Sequence, residues 1–343
     1  MTVAVTVLDQ SDVRIHPTAV HRRADVTIEL GRAEDAYGEW PTPVCIVSDG
    51  PYGVSGFPGD LHSEDGLAAW YQPHVAAWSE HSTPQTTLWF WNTELGWATV
   101  HPVLAEFGWE YRSCHVWDKG LSHVAGNANT KTLRKLPVTT EVCVQYVKAP
   151  RFGSMTMQEW LRHEWVRSGL PLNRANGACG VANAATRKYL TADHLWYFPP
   201  ADAFEQLANY ANRHGEPSGR PYFSVDGEVQ IAATEWEAYR AKFKCPVGVT
   251  NVWRHPQVGG AERINGVRSA MQWKYKSLHG SQKPLDLVGL SIELCTEPGD
   301  MVWEPFGGLC PAAICAFNLE RSARSAEIAP EFYEAATRRL DAV

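Results

Sequence analysis

Residues 300–340, DMVWEPFGGLCPAAICAFNLERSARSAEIAPEFYEAATRRL, constrain most tightly what this chain can fold into. They read in order as strand, acid-Pro-Phe-Gly-Gly turn, helix, strand and acid. A strand, a helix and a second strand in succession predict a βαβ unit, hence a parallel sheet covered by helices. Gly307 and Gly308 let a ligand approach the backbone closely at the start of the following helix. Glu327 ends the second strand, where a carboxylate can accept bonds from the hydroxyls of a ribose. Glycine is common at the first turn of any βαβ unit, so the nucleotide-like ligand rests on Glu327. Just upstream, Ser281-Gln282-Lys283-Pro284 opens a helix with hydroxyl, amide and ammonium groups. A helix N-terminus also favours anions there, although an ordinary N-cap with proline in the first turn reads the same way.

The first 150 residues carry the same alternation. DVTIEL, VCIVSD, TTLWFW, YRSCHVW and EVCVQYV have the composition of strands, while EDGLAAWYQPHVAAWSEH and VHPVLAEFGW have helical spacing. One strand stops abruptly: Cys45-Ile46-Val47 runs into Ser48-Asp49 and then Gly50-Pro51-Tyr52-Gly53. An acid and an aromatic on that turn would stand at the carboxyl end of a strand, where open α/β sheets keep their ligands. A surface turn opened by aspartate, with Tyr52 packed beneath it, is the plainer reading. From about Arg151 to Cys245 the texture becomes helix-rich, with Pro- and Gly-bearing connections. This predicts one α/β domain in two halves, 1–150 and 246–343, interrupted by a helical insertion at 151–245.

Composition narrows the class. A 343-residue chain that is 44% hydrophobic and 20% charged is ordinary for a globular protein. No apolar run reaches membrane-spanning length, and the first residues lack the basic region and cleavage site of a signal peptide. Eight singly scattered cysteines with no CxxC pair point away from zinc and disulfide frameworks and toward a reducing cytoplasm. Net charge is −7, yet residues 151–190 hold six basic residues against two acidic. Residues 251–283 hold six (Arg254, Arg263, Arg268, Lys274, Lys276 and Lys283) against Glu262. An acidic protein can present one positive face to a polyanion in this way, and solvated helix faces would give the same counts.

SDGPYG, HVWDKG, HGSQKP, EPFGG and AEIAPEFY occur in this order. Together they resemble the permuted "beta" class of DNA amino-methyltransferases, from about residue 26 to 340 apart from the insertion. The resemblance implies a Rossmann-like methyltransferase sheet, circularly permuted, with a helical target-recognition insertion. Asp49 and Glu304 would then end neighbouring strands. S-adenosylmethionine would be the cofactor: Glu304, Phe306, Gly307 and Gly308 would form its pocket, Glu327 would hold its ribose, and Ser281 and Lys283 would lie near its amino-acid end. A base would be flipped from duplex DNA. Asp49 and the Gly50 carbonyl would accept hydrogens of its amine, Pro51 would fix the turn and Tyr52 would stack on the base. Departures from the family pattern are Gly50 for the first proline, Leu309-Cys310-Pro311 for Ser-Gly-Thr, Ala329 for an aspartate, and Arg32 where an aspartate often reads the adenine of the cofactor.

In the insertion, TMQEWLRHEWVRSG suits an amphipathic helix. PLNRANGACGVANAATRKYL resembles a helix-turn-helix with Ala178 and Gly180 allowing a close crossing. That reading leaves Asn183, Thr186 and Arg187 for base edges and Lys188 for phosphate, whereas plain core packing would give the same composition. HEWVR lacks the second histidine of a zinc-protease helix, so no metal is expected. The reading is therefore a cytoplasmic, membrane-free adenine-N6 DNA methyltransferase acting on duplex DNA. Cytosine-N4 transfer is its close alternative, and a catalytically silent DNA-binding relative its rival from another class. A methyltransferase acting on RNA or a protein amide fits a helix-turn-helix poorly. The resemblance admits a cognate restriction system and a homodimer as further partners.

Overall fold

The computed structural model describes residues 17–54, 61–120, 134, 136–266 and 277–343. The N-terminal stretch, and Arg268, Lys274 and Lys276 of the second basic run, lie outside the described residues. The chain divides into two compact units: the described parts of Met1–Ser82, Thr86–Val147 and Lys242–Val343 form one, and Thr83–Gln85 with Lys148–Ala241 the other.

The strands of the first unit are β1 (Ala19–Arg23), β2 (Val26–Leu30), β3 (Cys45–Ser48), β4 (Thr87–Asn92), β5 (Trp109–Asp118) and β6 (Thr140–Lys148). The second unit carries the short pair β7 (Arg151–Phe152) and β8 (Met155–Thr156), and β9 (Val252–Arg254), β10 (Met301–Glu304) and β11 (Ser322–Glu327) belong again to the first. The large sheet has the order β1-β2-β11-β10-β3-β4-β6-β5-β9. Its centre, from β2 through β11, β10 and β3 to β4, is parallel throughout. The expected all-parallel sheet is corrected at two places: β1 runs antiparallel to β2, and β6 antiparallel to β4. Arg23-Ala24-Asp25-Val26 is too short for a crossover, and Ala24 at φ +48 turns the chain straight back.

The helices are α1 (Ala33–Ala36), α2 (Leu67–His81), α3 (Glu94–Glu106), α4 (Met157–Arg167), α5 (Arg174–Ala178), α6 (Ala184–Tyr189), α7 (Ala201–His214), α8 (Ala233–Glu237), α9 (Leu285–Cys295), α10 (Pro311–Asn318) and α11 (Pro330–Asp341). Alternation along the strands builds two cores. Cys45 and Val47 of β3 and Trp89 and Trp91 of β4 join Val288, Ile292 and Ile314 of α9 and α10 on one face. Ile46, Leu88 and Phe90 join Tyr71, Val75 and Trp78 of α2 on the other. Burial on both faces explains why these strands read as continuous apolar runs. Helix α3 begins well before VHPVLAEFGW, because Thr93 caps it by accepting from the Gly96 amide at 3.0 Å.

The second unit has its own core, in which Phe204 stacks on Trp236 at 4.0 Å between ring centres. Helix α4 is the amphipathic helix expected from TMQEWLRHEWVRSG, opened by a Thr156–Glu159 capping box. Glu164 is fully buried yet ionically paired: Arg167 lies at 2.6 Å and Arg220 at 2.8 Å, and it accepts from the Phe223 amide at 2.9 Å. Residues 171–190, read as a helix-turn-helix, hold two short helices, α5 and α6, of only five and six residues, with Gly180 between them at φ +64. Val181, the apolar residue of that turn, is exposed.

Removing Glu164 takes from two arginines their shared carboxylate and from the Phe223 amide its acceptor, although Arg167 keeps Ser218 and the Pro221 carbonyl and Arg220 the Ser224 carbonyl. Glu164→Ala is expected to destabilise the protein by about 3 kcal/mol, the low end for breaking a buried ion pair because both arginines are partly exposed. Glu164→Gln should cost less. Chemical denaturation followed by tryptophan fluorescence checks both.

Candidate active site

Pairing of β10 with β3 (Val302 opposite Cys45, Trp303 opposite Ile46) brings the two chemistry-bearing turns together. Asp49 follows the last residue of β3, and Pro305-Phe306 follow the last of β10. A cleft of about 520 Å³ opens between them, within the usual size range of a small-molecule site. Asp49, Gly50, Pro51, Tyr52, Ser281, Lys283, Phe306, Gly307, Gly308 and Glu327 all line it. The sequence had placed these residues in one site, and the fold assembles them from three distant segments.

Around Asp49 the charges alternate. Lys283 Nζ lies 2.8 Å from Asp49 Oδ1 and 3.3 Å from Glu141 Oε2, and Glu141 is also bonded to Lys119. The Tyr52 hydroxyl lies 2.9 Å from Asp49 Oδ1 and 3.2 Å from Glu141 Oε2, with one proton to share between them. Burial alone would raise the Glu141 carboxyl, but Lys283 and Lys119 outweigh it and hold it below the ordinary carboxylate range. Burial and the neighbouring carboxylates push the Tyr52 phenol well up, so it stays a neutral donor. Glu141 and Lys119 were missed in the sequence. A single acid opening the otherwise apolar strand TEVCVQYV was the signal available.

The opposite wall comes from the βαβ turn. Glu327 lines the cleft and accepts from the Gly308 amide at 2.5 Å and the Ala329 amide at 2.7 Å; burial pushes its carboxyl up to about 7. Gly308 and Cys310 both adopt the left-handed region, at φ +53 and +48. Cys310, which stands at the last glycine of the family pattern, thus keeps the glycine conformation with a side chain attached. Glu304 departs from expectation. It does not line the cleft but is buried under α10, accepting from the Ala312 and Ala313 amides at 2.7 and 3.0 Å and from Ser325 at 2.9 Å. It therefore caps a helix instead of facing a cofactor, and burial raises it to about 8. The N-terminus of α9 is likewise occupied from within, since the Leu285 amide donates to Glu262 at 2.8 Å.

Aromatic rings close one side. Phe306 packs with Trp70, Tyr71 and His74 at centroid distances of 5.2, 6.1 and 4.9 Å. A Cβ built on Gly50 would come within 2.6 Å of the Tyr71 hydroxyl and 2.7 Å of the Phe306 ring. This accounts for glycine in place of the family proline. Arg32 bonds Glu34 at 2.8 Å, and His74 approaches the same oxygen at 3.5 Å. The acid at this end of the cleft is therefore Glu34, two residues beyond the position where the family has an aspartate.

The four residues expected to read DNA belong to the second unit. Asn183, Arg187 and Lys188 are exposed, with Lys188 Nζ 5.6 Å from the Tyr197 ring centre. Thr186 instead turns inward: its hydroxyl donates to the Leu172 carbonyl at 2.8 Å, and its amide to Asn176 Oδ1 at 3.0 Å. Among the described residues no cluster of His, Cys, Asp and Glu suits a metal, and no helix is long and apolar enough to cross a membrane.

A family profile described as DNA methylase matches residues 44–338. No curated protein matches the chain significantly. Solved structures align over most of its length at low identity. A complex of M1.HpyAVI with SAM shares 14% identity at a TM-score of 0.49, over 92% of this chain and 98% of that one. A modification methylase from Thermus thermophilus, complexed with S-adenosyl-L-methionine, shares 13% at 0.47, over 92% and 93%. PvuII DNA methyltransferase, cytosine-N4-specific, shares 10% at 0.49, over 93% and 91%.

Gly50→Ala forces Phe306 or Tyr71 to move. It is expected to cost about 1–3 kcal/mol of stability, as overpacking does, and to narrow the cleft. Thermal unfolding of the purified variant measures the first effect. A variant as stable as the original chain would remove the steric account of Gly50.

Proposed function

The chain belongs to the DNA methylase family, and we propose that it transfers a methyl group from S-adenosylmethionine to the exocyclic N6 amine of an adenine flipped from duplex DNA. One observation carries this reading: Asp49 directly follows β3 beside β10, in one cleft with Tyr52, Phe306 and Glu327. The residues present fit the cofactor. A ring at Phe306, a glycine pair and a carboxylate at Glu327 line a cavity large enough for a nucleoside with an amino-acid tail. Glu327, with two backbone donors already fixing its orientation, would hold the ribose hydroxyls. When bound, S-adenosylmethionine supplies an electrophilic methyl group on a positively charged sulfur.

The chain's own groups would do the rest by position and charge. Among the described residues both side-chain partners of Asp49 fall on Oδ1, and Oδ2 would take a hydrogen of the target amine. The Gly50 carbonyl would accept the second hydrogen, directing the nitrogen lone pair toward the methyl carbon. Asp49 would take the proton that the amine sheds once methylated. A carboxylate that only accepts suits an amine that must shed a proton, and this supports adenine, because aspartate at this place goes with adenine in the family the chain resembles. Arg187 and Lys188, exposed on α6, are the residues of the second unit proposed to contact DNA.

Digesting DNA treated with protein and S-adenosylmethionine to nucleosides and weighing them tests the reading. N6-methyladenine is expected. N4-methylcytosine alone would overturn the base, and no methylated nucleoside would overturn the reaction. Asp49→Ala should abolish transfer while calorimetry still shows cofactor binding. Glu327→Ala should weaken that binding by about 1.5–3 kcal/mol, the worth of a hydrogen bond to a charged group. Because the Glu327 carboxyl is pushed up to about 7, cofactor affinity in the original chain should fall as pH drops through 7, and the alanine variant should not show that fall. Arg187→Ala should relax the preferred sequence at one position, and Lys188→Ala should weaken binding evenly and flatten its salt dependence.

A further inference from the structure

Lys283 was expected beside the amino-acid end of the cofactor, and its surroundings argue otherwise. Its ammonium carries three protons and has three oxygen neighbours: Asp49 Oδ1 at 2.8 Å, Glu141 Oε2 at 3.3 Å and the Ser281 carbonyl at 3.3 Å. The side chain is 1% exposed, and the ammonium lies 5.1 and 5.7 Å from the ring centres of Tyr52 and Trp91. Among the described residues its oxygen neighbours thus equal its three protons, which leaves little for the carboxylate of a ligand.

We infer that Lys283 and Glu141 are positioning residues for Asp49, fixing its Oδ1 so that Oδ2 meets the target amine, and that Lys283 takes no part in holding the cofactor. This rests on the methyltransferase reading. Glu141 has a separate part in it. Standing on β6, it gives the ammonium a second anchor besides Asp49. Glu141 shares the lysine, and Lys119 balances Glu141 in turn, giving an alternating chain of two acids and two bases that is buried except where Asp49 meets the cleft. Among the described residues, the other groups that act on or feel Asp49 are the Tyr52 hydroxyl on its own loop, His279 ahead of α9, Glu304 at the end of β10 and Cys143 on β6. None of them is placed to carry a compensating positive charge as Lys283 is, since burial pushes His279 down toward its neutral form.

The test is methyl transfer to duplex DNA read as kcat and KM for DNA separately, with cofactor affinity measured by calorimetry. Lys283→Met should leave cofactor affinity within about threefold and lower kcat by about tenfold or more with KM for DNA little changed, since Asp49 loses the group that fixes it. Lys283→Arg should recover most of that loss. Glu141→Gln, close in shape to the original, should lower kcat in the same way and carries the test if the methionine variant does not fold. A cofactor affinity lowered about tenfold or more by Lys283→Met would assign the lysine to the cofactor and overturn the inference. A loss of kcat that Lys283→Arg leaves unrecovered would reduce the residue to packing and overturn it as well. An original chain that transfers no methyl group at all would overturn the methyltransferase reading, and this inference with it. A working original chain whose variants keep its kcat overturns the inference alone.

Discussion

Everything at the site depends on the parallel pairing of β3 with β10. It holds only two residue pairs in register, Val302 with Cys45 and Trp303 with Ile46, yet it joins segments from opposite ends of the chain. Apolar burial on both faces fixes the register, because a slip by one residue would send Cys45 and Val47 to the face now filled by Ile46. With that register set, the turn after β3 and the turn after β10 must face each other across one cleft.

The departures from the family pattern become coherent once the packing is known. Glycine at position 50 is imposed by Phe306 and Tyr71, which would overlap any side chain there. Cys310 keeps the left-handed backbone of the glycine it replaces and fills the space beside Ser325, at 3.3 Å from its hydroxyl. Glu304 stands where the family pattern has an aspartate, and its carboxyl group lies at the N-terminus of α10, where the Ala312 and Ala313 amides satisfy it. These changes repack the walls of the cleft while Glu327 and Asp49 still face into it.

The central strands and the cleft were legible because their signals are local. VCIVSD and DMVWEPFGG announce buried strands ending in turns, and Glu327 marks a strand end by its position alone. What escaped the sequence depends on tertiary proximity. Nothing in TEVCVQYV or HVWDKG says that Glu141 and Lys119 will meet a lysine from the other half of the chain. The antiparallel placement of β6 was hidden for the same reason, since a strand buried on both faces has the same composition in either direction. Thr186 shows a subtler limit: its residue type suits a base edge, but in a helix of only six residues the nearest acceptor is the Leu172 carbonyl.

The central claim is that S-adenosylmethionine binds where these two turns face each other, and a crystal structure of the protein grown with that cofactor tests it most directly. The expected result has the ribose hydroxyls within hydrogen-bonding distance of Glu327, the adenine toward Phe306 and Glu34, and the methyl group turned toward Asp49. Cofactor bound elsewhere, or in this cleft with its carboxylate on Lys283 and its methyl group turned away from Asp49, would contradict the account.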